Sequence, residues 1–134
     1  MKKSPVTLVL PICAAIIAAI VLVGACKSGP VPLDEEVTPS EVFQLAQEAA
    51  IDKRDYETAL HYYRQIDVLF PDDEESKIIA DYEIAFLHYK LGNPDEAKEG
   101  FEAIVARYQE EDAGSLPPWP PVLAEKLLVK IEEE

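Results

Sequence analysis

A helical pattern that occurs twice, 38 residues apart, constrains this fold more than any other feature of the chain. In each copy a small residue is followed four positions later by an aromatic residue, and three positions after that by isoleucine. Small residues let two helices cross closely, because no long side chain intervenes. The equivalent pairs are Ala59 and Ala97, Tyr63 and Phe101, Ile66 and Ile104, Arg54 and Gly92, and Phe70 and Tyr108. A period of this length indicates stacked helical hairpins.

Helical periodicity continues from Thr38 onward, and no segment has a convincing strand pattern. Thr38, Pro39 and Glu41 form the capping-box sequence that opens the first helix. Pro71 ends the second helix, and Gly92 suits the left-handed position after the third. The predicted helices are approximately 38–51, 56–70, 74–91, a fourth opened by the repeated start signal Asn93-Pro94-Asp95-Glu96 and ending near Tyr108, and 122–131 after a loop at 117–121. We therefore predict an all-α fold.

Residues 1–25 have the composition of an export signal. Lys2 and Lys3 precede an apolar run from Val6 to Val23, and the small residues Gly24 and Ala25 follow it. A secretory signal peptide needs this order of charge, apolar span and small residues at the cleavage site. The apolar run is also about long enough to cross a bilayer, so an uncleaved membrane anchor remains the alternative.

Cys26 directly follows those small residues, and Val23-Gly24-Ala25-Cys26 resembles the lipobox of bacterial lipoproteins. A thiolate is a good nucleophile, which suits the attachment of a lipid through sulfur. The resemblance implies that Cys26 is acylated and becomes the first residue of the mature chain. Lys27 and Ser28 follow Cys26, where the family's inner-membrane retention signal has Asp. The resemblance therefore favours a lipid anchor in the outer membrane, facing the periplasm.

The repeated hairpin pattern resembles the tetratricopeptide repeat. Phe43 and Asp81 stand where that family has its signature tryptophan, and the period exceeds the family's usual ~34 residues, with the extra residues at 72–76. The lengthened variant is similar to the group of BamD-like outer-membrane lipoproteins. For residues 38–134 the resemblance implies two tetratricopeptide hairpins and a C-terminal capping helix in a right-handed stack.

Charge and composition restrict the partners of the chain. Both basic residues of the leader are lost on cleavage and no acidic residue is, so the formal net charge falls from −14 to −16. Nucleic acid is excluded as a partner, because phosphates are bound by Lys and Arg clusters. Cys13 lies in the leader, so the mature chain cannot form an internal disulfide. Residues 26–37, with two prolines and three adjacent acidic residues, are predicted to form a flexible tether.

No catalytic or metal-binding pattern is evident in the sequence, and we expect a protein that is not an enzyme and needs no cofactor. His61 and His88 lie on different predicted helices, without the spacing of a helical metal site. His61 is expected to face solvent, and His88 to lie on the inner face with Ile84 and Leu91. Both histidines are interpreted as structural residues.

The predicted third helix carries the best candidate for a binding surface. Tyr82, Phe86 and Tyr89 share one helix face because they are four and three residues apart. Aromatic residues often anchor protein partners, and in tetratricopeptide domains the equivalent positions line a concave groove. The other expected groove residues are Gln44, Glu48, Asp52 and Lys90. The alternative is that the three rings pack beneath the fifth helix, which would leave no groove.

These features favour a lipid-anchored adaptor that holds a protein partner in the bacterial envelope through a basic or apolar segment of that partner. The family resemblance makes outer-membrane assembly or cell-wall coordination the expected setting. Two alternatives remain open from the sequence. One is an accessory subunit that presents a ligand to an envelope transporter, and the other is an envelope hydrolase that uses paired carboxylates.

Overall fold

The computed structural model describes residues 29–111 and 113–134, so the leader and Cys26 lie outside the described residues. Within these two ranges the chain forms helices and no strand, which confirms the all-α prediction. A π-helical turn at Glu48–Asp52 extends the first helix, and a 3₁₀ turn lies at Ala113–Ser115. The α-helices are α1 (Pro39–Gln47), α2 (Tyr56–Leu69), α3 (Glu74–Leu91), α4 (Pro94–Arg107) and α5 (Trp119–Glu133).

Side chains and backbone conformation set the helix ends much as the sequence predicts. Thr38 and Glu41 form a complete capping box at the start of α1. Gly92 ends α3 with φ 78°, a left-handed conformation that costs glycine nothing. The predicted start signal at Asn93 is wrong in one respect, since its side chain makes no capping hydrogen bond. Its amide nitrogen instead lies 3.4 Å from His88 Nδ1.

Arg54 adopts the same left-handed backbone region as Gly92, with φ 51°. The sequence alignment of the two copies pairs these two residues, and both occupy the turn between the helices of a hairpin. A left-handed backbone is costly for any residue with a Cβ atom. The second copy uses glycine at this position, whereas the first places a long cationic side chain there.

Two apolar cores lie along the chain, one in each helical hairpin. The first joins α1 and α2 to Ala80 and Leu87 of α3. The second joins α3, α4 and α5 around Phe101, which is fully buried. The repeated alanines are fully buried where the helices pack, as their small size predicts. Gly100 gives a further close contact in the second hairpin, since a Cβ added there would lie 2.8 Å from the Cβ of Ala85.

The segment 31–37 packs on the first hairpin, so the prediction of a flexible tether is wrong for these residues. Leu33 and Val37 contact the first apolar core. The backbone N–H of Val31 donates a hydrogen bond of 2.7 Å to the hydroxyl oxygen of Tyr62. The proline and acidic residues suggest a chain without a core of its own, yet two apolar side chains suffice to hold it against a neighbouring helix.

The predicted loop at 117–121 contains the start of α5, which begins at Trp119. Proline is compatible with a first helical turn because the missing N–H would have no partner within the helix.

Leu91 was expected on the inner face but is 37% exposed at the end of α3. None of the helices in the described ranges is long and apolar enough to cross a membrane.

Candidate functional site

Tyr82, the first residue of the predicted aromatic face, belongs to the second core and is 8% exposed. Its ring meets Trp119 edge to face with the centroids 5.0 Å apart. On another side it contacts the ring of Phe101, at 5.8 Å. Aromatic pairs at these distances stabilise a core beyond the area they bury. Tyr82 is therefore unavailable to a partner, and its assignment to a groove is wrong.

Tyr89 lies beneath the end of α5. Its hydroxyl donates a hydrogen bond of 2.8 Å to Glu134 Oε1, and Lys130 Nζ lies 5.2 Å from the centre of its ring. Its ring also packs against the second core. For Tyr82 and Tyr89 the structure thus matches the alternative stated above, in which the last helix covers the rings.

Phe86 stacks on Tyr82, with ring centroids 6.3 Å apart, and packs against the second core. Unlike the two tyrosines, it also lines an open groove between the first hairpin and α3, with a volume of about 440 Å³. The ring is half-buried, and Lys90 Nζ lies over it at 5.2 Å from the centroid. Lys90 also lines this groove. The apolar part of the lining comes from Ala50, Ile51, Tyr56, Tyr63 and Leu87, together with Phe86 itself.

The remaining predicted groove residues lie beside this space rather than in it. Gln44, Glu48 and Asp52 line a shallower depression of about 290 Å³. Ile51 borders both depressions and is 72% exposed. The carboxylate of Glu48 already has a partner, since it lies 3.0 Å from Lys53 Nζ. The structure therefore places the predicted residues on both sides of the exposed Ile51 side chain.

Glu83 contributes a carboxylate to the groove that Phe86 lines. Burial raises its pKa above the ordinary value. No described residue forms a hydrogen bond or an ion pair with it, although Arg54 and Lys90 line the same groove. A partly desolvated carboxylate without a close cation gains from any cationic group that enters the groove. The groove thus offers apolar contacts and an unpaired negative charge.

Sequence reasoning missed Ile51, Arg54 and Glu83 as groove residues. Ile51 lies at the edge of the predicted polar break, and its π-helical turn leaves it exposed rather than buried. Glu83 lies among the apolar residues of α3, where a helical pattern alone does not show which face is covered. The repeat aligns Arg54 with Gly92, which indicates a residue in the turn of the hairpin but not that its side chain lines the groove.

A second groove of about 410 Å³ lies between α3 and α4. Both cationic side chains in its lining lie near Glu74, with Lys77 Nζ at 2.9 Å and Arg107 Nη2 at 3.8 Å from its carboxylate. Burial and then the nearby Asp67 raise the pKa of Asp81 in this region.

His61 is exposed, as expected, and His88 is half-buried. Among the described residues no group of three or more His, Cys, Asp and Glu side chains is placed to hold a metal ion.

Across residues 29–111 and 113–134 the geometry defines a helical fold with an open, largely apolar groove that carries charges of both signs. Comparison with family models, with curated proteins and with solved structures gave no match to this chain. The functional conclusions below therefore rest on the residues and the geometry.

Proposed function

We propose that this chain is a lipid-anchored adaptor that holds a protein partner at the periplasmic face of a bacterial outer membrane. The lipobox-like residues 23–26 support the anchor. The open groove between the first hairpin and α3 supports the adaptor role, since it is apolar, accessible and bordered by charged residues. Outer-membrane assembly and cell-wall coordination are the settings that the family resemblance suggests.

The proposal includes the finer assignment of the fold. Hairpins α1–α2 and α3–α4 are two tetratricopeptide units in a right-handed stack, and α5 is their capping helix. Three repeated features favour this assignment: buried alanines at the helix crossings, buried aromatic residues four positions later, and left-handed residues at equivalent turns. The equivalent pairs are Ala59 and Ala97, Tyr63 and Phe101, and Arg54 and Gly92.

The observation that carries the adaptor role is that Phe86 of α3 and the exposed Ile51 of the first hairpin line the same open groove. An apolar side chain of the partner would lie between them, and a Lys or Arg beside it would reach Glu83. The strongly negative net charge of the chain would attract such a basic segment over a distance. This surface differs from the predicted one, because Phe86 contributes and Tyr82 does not.

The groove is tested by site-specific photo-crosslinking of the full chain in its native envelope. A crosslinking residue at Ile51 should capture a defined envelope protein, because that position borders the groove and is 72% exposed. The matched control is Val68, which is 67% exposed but does not line the groove. Equal capture from both positions would contradict the groove.

Affinity for the captured protein then tests Phe86. The Phe86→Ala variant should bind it about thirtyfold or more weakly, as expected for a central apolar anchor. Its melting temperature should fall only slightly, since the ring is half-buried rather than enclosed. A large loss of thermal stability would place the ring in the core, and unchanged binding would place the partner elsewhere.

The anchor requires its own test. Mass spectrometry of the membrane fraction should find a mature chain that begins at Cys26 and carries the added mass of acyl groups. The Cys26→Ala variant should carry no acyl mass, because the thiol that would bear the lipid is gone. A Cys26→Ala chain that is still cleaved at the same bond and remains membrane-bound would overturn the lipid anchor without affecting the groove.

A further inference from the structure

Residues 31–37, which we call the strap, are held on the first hairpin at both ends. The backbone N–H of Val31 donates to the hydroxyl oxygen of Tyr62, and that hydroxyl lies 3.5 Å from the carbonyl oxygen of Val31. Tyr62 itself is buried in the first core. At the other end Val37 packs on the same core, and its N–H donates to the carbonyl oxygen of Asp34 in a turn that leads into α1. The strap therefore moves with the hairpin.

The strap shortens the chain that can separate the folded domain from an anchor at Cys26. A free tether would extend from Cys26 to Thr38, whereas the strap leaves only the five steps from Cys26 to Val31. A chain spans at most about 3.3–3.6 Å per residue, so these steps reach no more than about 16–18 Å. A lipid-bearing cysteine lies at the inner edge of the headgroup layer, which takes up about 5–7 Å of that length. The contact between Val31 and Tyr62 then lies within about 13 Å of the headgroup surface.

The surface around this contact suits a lipid boundary. Residues 30–32 are exposed and uncharged, and Val31 is 63% exposed although it is apolar. The imidazole of His61 is also exposed, with its ring centre 5.8 Å from that of Tyr62. The acidic residues 34–36 follow along the strap and are exposed as well. Anionic headgroups would repel these carboxylates, so the surface fits a bilayer of zwitterionic lipid.

We infer that the strap side of the first hairpin lies against a bilayer of mainly zwitterionic lipid, held there by the short link from Cys26 to Val31. The inference rests on the proposed lipid anchor and not on the groove. The helices pack in chain order, α1 on α2, α2 on α3, α3 on α4 and α4 on α5. The element farthest along this order from the strap is therefore α5. The groove lies partly on the first hairpin, so a partner that fills it must come close to the bilayer too.

Photo-crosslinking to lipid tests the inference on the mature acylated chain in phosphatidylcholine vesicles. A photoreactive residue in place of His61 should add the mass of a phospholipid on illumination, because this position is exposed beside the strap. The same residue in place of Val122 is the matched control, since Val122 is 50% exposed but lies on α5. It should capture little or no lipid. Vesicles that contain anionic lipid should reduce capture at position 61, and stronger capture from them would contradict the preference for zwitterionic lipid.

Two changes separate the strap from the length of the link. Tyr62→Phe with Leu33→Ser removes the hydroxyl that holds Val31 and an apolar contact of the strap. Hydrogen exchange at the Val31 amide should become fast, and lipid capture at position 61 should fall. An insert of about six glycine and serine residues between Ser28 and Gly29 should also reduce capture, but with the Val31 amide still protected. Unchanged capture after either change would overturn the inference.

Mass spectrometry of the same samples distinguishes failure of this inference from failure of the anchor. An acylated chain that captures lipid equally at positions 61 and 122 would overturn the inference alone, because the anchor would be present without a fixed orientation. A chain without acyl groups would overturn the anchor, and the inference with it. Circular dichroism should show unchanged helix content in every variant, since the strap itself contains no helix.

Discussion

Replacing Phe101 by alanine is expected to lower the free energy of unfolding by about 3–5 kcal/mol. The ring is fully buried in the second core and contacts the ring of Tyr82. Its removal leaves a cavity, because the surrounding helices cannot collapse onto the gap. Urea denaturation followed by circular dichroism measures the change. A small domain has only about 5–15 kcal/mol of stability, so this single change removes a large fraction of it and should lower the urea midpoint accordingly.

Phe86→Ala is the matched control, since it removes the same ring from α3 rather than from α4. Phe86 is half-buried and faces the groove, so its loss should cost less than about 2 kcal/mol. Similar losses for the two variants would mean that the groove is part of the core. The comparison therefore tests the assignment of each ring as well as the stability of the fold.

The helices themselves were predictable from the sequence because their signals are local. The capping box at Thr38 and Glu41 requires only residues that are three apart, and it forms as predicted. Gly92 likewise fixes the end of α3 through its own backbone conformation. The repeat also predicts backbone conformation, since the aligned residues Arg54 and Gly92 both adopt a positive φ.

The covered and the open parts of the aromatic face were not predictable in the same way. Tyr82 and Tyr89 share a face with Phe86, and helical periodicity treats the three rings alike. What separates them is α5, whose Trp119 and Glu134 contact the two tyrosines from distant positions in the chain. Contacts of such separation depend on how the last helix packs, and no local pattern encodes that packing.

The same limit explains the segment at 31–37. Its composition predicts a chain without a core, and by itself it has none. The hydroxyl of Tyr62, 31 positions away, accepts a hydrogen bond from the backbone N–H of Val31. The side chains of Leu33 and Val37 pack against the first core. A short apolar segment beside a folded domain can thus be ordered by that domain alone.

Removing Trp119–Glu134 is expected to unfold the second hairpin. The cut takes away Trp119 from the ring of Tyr82 and Ala124 from the second core. It also removes the half-buried Leu127, Leu128 and Ile131, which pack against the second core. Fully burying each side chain of this size contributes about 1.5–3 kcal/mol, so the loss approaches the whole stability of a small domain.

Hydrogen exchange measures this result element by element. Amides of α3 and α4 should lose protection in the shortened chain, while α1 and α2 should keep more of theirs because most buried residues of the first core belong to the first hairpin. A cut that removes only Glu132–Glu134 is the control. It deletes the hydrogen bond from Tyr89 and the ion pair between Lys98 and Glu132 but leaves the apolar face of α5 in place. That control should cost about 1 kcal/mol, because partly exposed polar contacts contribute little.

Full protection of α3 and α4 without α5 would show instead that two hairpins are stable without a capping helix. Tyr82 would then be exposed, and the aromatic face would regain the groove that the sequence predicts.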